Sequence, residues 1–384
     1  MAENLPHQML PRANHDELAG QQFVQAMKMH VSSKITVGNH KVYEHTARQA
    51  FEKKHGRPPN TRHEVRRLME QQPYHQMWGS LMRLGQELMW DTVIESVDRQ
   101  LEDLIARATP THRLGSLDLD PTLHQPRYLA AVDQHGQPGS YYTDTCRDDV
   151  RAGAVLDRGA SIYHFGAAGG AGMEGRGRTL VQFLWEKYPD LRPSAILDIG
   201  CSVGASTLPL ARYFPDAEVH AIDTAAPLLR YAHGRAEALG VRVRYAQQNG
   251  ENLNFEDESL DLVVSLVVLH ETSTKALPKI MSECYRVLRP GGVVAHLEVP
   301  VRYADMPNLM EQVLRDWQTY YNDEPFWGRV CETDMVAALA QAGFAKVYEG
   351  YQKQTLDPRR DGEGFTTVPD SRPGRWYVAT GTKA

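Results

Sequence analysis

The sequence predicts an α/β protein: a doubly wound, mostly parallel sheet whose last strand runs antiparallel, preceded by a mainly helical region. Three observations point there. From residue 179 onward strand-like and helix-like stretches alternate, as a sheet with crossover helices requires. The run SLDLVVSLVVL is apolar and β-branched on both of its faces, the pattern of a central strand buried on both sides. The stretch ILDIGCSVGAST, residues 196–207, sets Asp198 in an apolar strand and then turns through Gly200, Ser202 and Gly204 into a helix.

Each element follows in turn. Residues from about 15 to 108 read as helices. TRHE at 61–64 has the capping-box form, with Thr61 placed to accept from a free amide and Glu64 to reach back. Between Met77 and Ile105 apolar residues recur at helical spacing, bracketed by Pro73 and Pro110; this stripe suits a core or a dimer interface. Residues 109–178 are rich in Gly and Pro, punctuated by Tyr141, Tyr142, Tyr163, His164 and Phe165, and read as an irregular wall or lid. Strands are expected near 194–199, 217–222, 241–246, 260–267 and 293–299, with helices at 205–214, 225–239, 274–288 and 307–322. A further helix follows Thr333, whose side chain is placed to cap it, and FAKVYEGYQ and RWYVATGTK close the chain as an antiparallel pair. The organisation expected is therefore 1–150 as a helical cap or dimerisation region, 151–178 as a Gly-rich connecting loop, and 179–384 as the catalytic domain.

Composition narrows the function. A chain of 384 residues with 42% hydrophobic and 23% charged residues is an ordinary soluble protein, long enough for two domains. The net charge of −6 argues against nucleic acid or an anionic membrane as principal partner. No apolar run approaches the ~18 residues that span a bilayer, and the first residues lack a signal-peptide pattern, so a cytoplasmic protein is expected. Four scattered cysteines form no C-x-x-C pair, so neither structural zinc nor a disulfide framework is expected.

In a doubly wound sheet the ligand lies beyond the carboxyl ends of the strands. A dinucleotide turn has G-x-G-x-x-G; here that register holds Gly200, Ser202 and Ala205, so the second glycine is missing, as is a phosphate loop ending Gly-Lys-Ser/Thr. A nucleoside without pyrophosphate fits better. Asp223 ends the second strand, where a carboxylate can accept both hydroxyls of a ribose. Asn249, past the third strand, is placed for the edge of an adenine.

The stretches ILDIGCSVG, VHAID, QNGENLNFEDESLDLVVSLVVLH and ECYRVLRPGGVVAHLE make residues 179–384 resemble the class I S-adenosylmethionine-dependent methyltransferases of the ubiquinone-biosynthesis-like type. The resemblance implies a seven-stranded Rossmann-like sheet with S-adenosyl-L-methionine as cofactor. It implies that Gly200, Cys201 and Gly204 line the methionine and ribose, that Asp198 supports the turn, and that Asp223, with Thr224 beside it, binds the ribose. Asn249 and Gly250 would then flank adenine, and Ser265 and Leu266 lie near the sulfonium. Ser202 stands where the family usually has a glycine, and Asn249 where it usually has an aspartate. Serine is small enough to bond the amino-acid end, and asparagine keeps an acceptor oxygen.

Methyl transfer from a sulfonium asks the protein mainly to align the acceptor and exclude water. A base is needed only where the acceptor must lose a proton. VVLHETS puts His270 and Glu271 just past the fourth strand as catalytic candidates, with Tyr163 and His164 placed to close over the methionine end or the acceptor. His296 and Glu298 alternate onto one side of the fifth strand, as a hydrogen-bonded pair beneath the pocket. The carboxylates near these residues form no ligand set, so no metal is expected. The expected activity is methyl transfer to a small molecule, oxygen acceptors slightly ahead of carbon, nitrogen or sulfur. Trp78, Met82, Met89 and Trp90 suit an aromatic or terpenoid-like acceptor, or simply a core, and the N-terminal helices suit a homodimer. The competing readings are an RNA or protein methyltransferase, a non-catalytic cofactor-binding regulator and, more distantly, a nicotinamide oxidoreductase. The first lacks an Asn/Asp-Pro-Pro-Tyr/Phe motif and a basic extension.

Overall fold

The computed structural model describes residues 7–109, 113–163, 171–370 and 374–384. Among the described residues nine strands form one sheet: β1 Ser116–Asp118, β2 Ala195–Ile199, β3 Glu218–Asp223, β4 Arg244–Gln247, β5 Leu260–Leu266, β6 Leu288–Glu298, β7 Ala345–Lys353, β8 Phe365–Thr366 and β9 Arg375–Thr382. Their order is β1-β4-β3-β2-β5-β6-β9-β7-β8. The run from β4 to β7 is the expected seven-stranded core, with β9 antiparallel to both β6 and β7. Two short edge strands, β1 and β8, lie outside that expectation.

Strand alternation divides the core between the two faces. Ile196, Leu262 and Val264 join one apolar cluster, whereas Leu197 and Val263 join the other. The winding reverses beside β2, which pairs with β3 on one side and β5 on the other. That reversal opens a crevice at the strand ends.

The N-terminal half is not a separate unit. Met89, Trp90, Val93 and Val97 of the helix Pro73–Asp98 share a cluster with Val203, Ala205, Leu228 and Tyr231 of the sheet domain. Tyr43, Met69 and Trp78 pack with Met310, Val313 and Leu314. The apolar stripe is thus spent inside the chain, leaving Met77 and Leu84 among its exposed members. A homodimer built on that stripe loses its sequence basis.

Some local signals hold in the fold and others give way to neighbouring contacts. The stripe's helix ends at Asp98 and a second one, Leu101–Ala108, follows. Between them the Gln100 side chain donates to the Ser96 carbonyl at 2.6 Å, competing with the helical ladder. Thr61 does cap Arg62–Met69, but Glu64 turns instead to the Asn60 amide and Arg57. The complete capping box lies at Asn14 and Glu17. Asp334, not Thr333, caps Met335–Gln341.

The segment 151–178 corrects its expectation: it contains the helix Arg151–Tyr163 and the start of Ala171–Lys187. Gly153 and Gly159 serve close packing. A Cβ on Gly153 would lie 2.4 Å from Cβ of Tyr231, and one on Gly159 would lie 2.6 Å from the Trp90 ring. These helices bring the N-terminal region over the strand ends. Among the described residues no helix is long and apolar enough to cross a membrane.

Candidate active site

The turn after β2 is built by backbone conformation. Gly200, Ser202 and Gly204 all take left-handed φ, at +72°, +52° and +71°. A Cβ on Gly200 would lie 2.3 Å from Cγ2 of Val268, so glycine is required there twice over. The amides of Gly200 and Cys201 both donate to the Ile222 carbonyl, stitching the turn to β3. Asp223 then closes it: its Oδ2 accepts from the Ser202 amide at 2.9 Å and its Oδ1 from the Ala225 amide at 3.0 Å. Burial raises the Asp223 carboxyl above its ordinary pKa. Asp198 is also buried; Thr207 donates to its Oδ2 at 2.6 Å, while Oδ1 has no hydrogen-bond partner among the described residues. Burial raises Asp198 to about 7, against the bond from Thr207.

The chain leaves β5 through Val267 at φ +62°, a left-handed conformation that a β-branched residue rarely adopts. Glu298, at the end of β6, holds this strained exit. Its Oε1 accepts from the amides of Val268 and Leu269 at 2.8 and 2.6 Å, and its Oε2 lies 2.8 Å from Nδ1 of His270. The expected His296–Glu298 pair is therefore replaced by two others, because His296 bonds the Ser265 hydroxyl at 2.8 Å. Burial holds His296 down at about 4.

A cavity of about 280 Å³ opens over these strand ends. Of the residues expected at the cofactor, Asp198, Gly200, Cys201, Ser202, Asp223, Thr224, Asn249, Gly250, Leu266 and Tyr163 line it, as do His270 and Glu271. Two do not: Ser265 is fully buried against His296, and Gly204 faces Tyr245, whose hydroxyl would lie 2.4 Å from an added Cβ. His164 lies outside the described residues.

The fold adds two residues that sequence reading passed over. His135 and Glu324 meet His270 and Glu271, their ligating atoms all within 4.8 Å of one another. His135 sits in a tight turn at φ +56°, its carbonyl accepting from Trp90 Nε1 at 2.7 Å and Gln86 Nε2 at 2.9 Å. The N-terminal region thereby places a side chain directly in the site. Glu324 is fully buried, with Oε1 accepting from Asn322 Nδ2 at 2.6 Å. Burial opposes charge throughout the cluster. Against it, Glu298, Glu271 and Glu324 raise His270 to about 10, and Glu324 with Glu271 raises His135. The two histidines in turn lower Glu324, whereas burial prevails at Glu271 and raises it. His135 stands within the aromatic stretch 128–144, a usable signal; Glu324 belongs to no pattern at all.

Comparison with known proteins decides the family. A family model described as "Methyltransferase domain" matches residues 196–292. An uncharacterized methyltransferase of Synechocystis is 31% identical over 170 residues, covering 43% of this chain and 74% of that protein. The chain belongs to the class I S-adenosylmethionine-dependent methyltransferases. The methyltransferase is also similar to the demethylmenaquinone methyltransferase of Thermus thermophilus, 36% identical over 108 residues, covering 28% of this chain and 48% of that one. A tRNA N(3)-methylcytidine methyltransferase of Drosophila melanogaster is 31% identical over 110 residues, covering 27% and 34%. This chain thus spans about half or less of the length of those two relatives.

S-adenosyl-L-methionine is the cofactor, and the residues present fit it. Asp198, with an Oδ1 that has no hydrogen-bond partner among the described residues, and the buried Asp223 carboxylate offer acceptors, and the cavity they line offers space, for a cationic nucleoside. The cofactor supplies an electrophilic methyl group when bound.

Proposed function

We propose that the methyltransferase acts on a small-molecule acceptor, with oxygen acceptors slightly ahead of carbon, nitrogen or sulfur. The observation that carries this reading is the placement of His135, His270, Glu271 and Glu324 in the wall of the cavity that also holds the cofactor residues. An acceptor hydroxyl there meets two histidines and two carboxylates able to orient it and take its proton. The aromatic walls Trp90, Tyr128, Tyr141 and Trp327 suit an aromatic or terpenoid-like body. An enclosure of this size admits a compact molecule more readily than a folded RNA or protein.

In the same reading Asp223 and Thr224 meet the ribose, and Asn249 and Gly250 flank adenine. Gly200, Cys201, Ser202 and Asp198 hold the methionine end, and Leu266 and Tyr163 border the reacting methyl. The chain's part in the reaction is alignment: it holds acceptor and methyl donor in line and keeps water out. Purified protein is to be incubated with methyl-labelled cofactor and separate pools of small phenols and hydroxy acids, acyl-carrier protein, and tRNA. Label entering the small-molecule pool is expected. Label entering only protein or RNA would overturn the reading.

A further inference from the structure

The cluster of His135, His270, Glu271 and Glu324 is built more closely than acceptor binding alone explains. Nε2 of His135 lies 3.1 Å from Oε1 of Glu324 and 3.7 Å from Oε1 of Glu271. Nε2 of His270 lies 3.6 Å from Oε1 of Glu271 and 3.6 Å from Oε2 of Glu324. Metal–ligand bonds of ~2.1 Å set neighbouring donors ~3.0 Å apart in an octahedron and ~3.4 Å apart in a tetrahedron. The four contacts, at 3.1–3.7 Å, lie near those spacings, and with all four donors within 4.8 Å of one another a contraction of about an ångström gathers them around one ion.

Two independent features aim these groups at a common point. Each histidine is anchored through its other nitrogen: His270 Nδ1 by Glu298 at 2.8 Å, and His135 Nδ1 by the Tyr141 hydroxyl. The Glu298 carboxylate holds a proton on Nδ1 of His270 and the Tyr141 hydroxyl orients the His135 ring, so that both Nε2 atoms face the cluster, the arrangement that metal-binding histidines need. In addition, Oε2 of Glu324 is fully buried and makes no hydrogen bond among the described residues, its nearest cationic neighbour being His270 Nε2 at 3.6 Å. A buried carboxylate oxygen held short of any direct partner is a place for a cation.

We propose that His135, His270, Glu271 and Glu324 bind one divalent first-row transition-metal ion in the wall of the cavity. Two imidazoles and two carboxylates neutralise a dication and form the mixed nitrogen–oxygen set suited to manganese, iron, cobalt or zinc rather than to magnesium or calcium. The role of the ion rests on the small-acceptor reading: coordination positions left over on the cavity side take oxygen donors of the acceptor, in the manner of a catechol or an α-hydroxy acid. Its existence does not. The sequence disguised the site because its four ligands come from three distant segments, around residues 135, 270 and 324.

The test uses the full chain, stripped with a chelator and titrated with Co²⁺ and with Mg²⁺ by calorimetry and visible absorption. One Co²⁺ per chain is expected, with the absorption bands of a nitrogen- and oxygen-ligated ion, and no matching heat from Mg²⁺. His135→Gln and Glu324→Gln should each weaken Co²⁺ at least about tenfold. Binding of S-adenosylhomocysteine by the same variants serves as the check on folding. The proposal is overturned if the wild-type chain takes up no stoichiometric Co²⁺, or if both variants bind it as the wild type does. Failure of the small-acceptor reading would show separately, as label absent from the small-molecule pool with the Co²⁺ titration unchanged.

Discussion

Oε2 of Glu298 lies 2.8 Å from Nδ1 of His270, with both side chains buried, and the same carboxylate accepts the two amides of the turn that carries the histidine. One acid thus positions a site residue and holds the strained exit from β5.

Glu298→Gln should therefore destabilise the fold by about 3 kcal/mol, because it removes the counter-charge hydrogen-bonded to the buried imidazole and leaves, among the described residues, only Glu271 and Glu324, each at 3.6 Å. Urea unfolding at neutral pH measures this. An unfolding free energy within about 1 kcal/mol of wild type would show that the pair is an incidental contact.

Asp223→Asn keeps the size of the side chain but loses the charge at the end of β3. A hydrogen bond to a charged group contributes about 1.5–3 kcal/mol, so S-adenosylhomocysteine should bind about 10- to 150-fold more weakly. Calorimetry decides it. An unchanged dissociation constant would remove the ribose from this carboxylate.

Gly200→Ala combines two penalties, a left-handed φ of +72° and a Cβ set 2.3 Å from Cγ2 of Val268. A loss of about 1–3 kcal/mol is expected. Pairing it with Val268→Ala should recover only the steric part, since the backbone conformation stays unfavourable. Full recovery in thermal denaturation would mean that the turn relaxes freely.

Asp198 gives a pH dependence with a definite sign. Its folded pKa of about 7 lies above the ordinary 3.8, so the folded state binds more protons between those values. The contribution of this group to stability without cofactor is then fully present below about pH 4, is lost as pH rises to about 7, and stays absent above it. The drop from this group amounts to about 4 kcal/mol at most. Asp198→Asn should remove it while keeping an acceptor for Thr207. Parallel stability–pH curves for the two proteins would contradict the burial assigned to this carboxyl.

Much of this was legible in the sequence. The turn 200–204 and Asp223 follow from a strand breaking into small residues, a signal confined to a few neighbouring positions. His270 and Glu271 follow equally from their place just beyond a strand end. Ser265 was misplaced by the same logic: strand alternation turned it to His296, away from the cavity. The glycines of 151–178 suggested a loop because glycine weakens helices, yet Gly153 and Gly159 are there to let helices approach Tyr231 and the Trp90 ring. Close packing against a distant segment leaves no local trace.

The sequence by itself determined the alternation of core strands and helices from residue 194 onward, the glycine turn and the acid at the end of β3, because hydrophobic period and turn chemistry act over a few residues. Only the tertiary structure decided that His135 and Glu324 join His270 and Glu271, and that Glu298 serves His270 rather than His296. Those contacts depend on how the N-terminal helices and the segment around residue 324 pack over the sheet, which is set by burial summed over the whole chain.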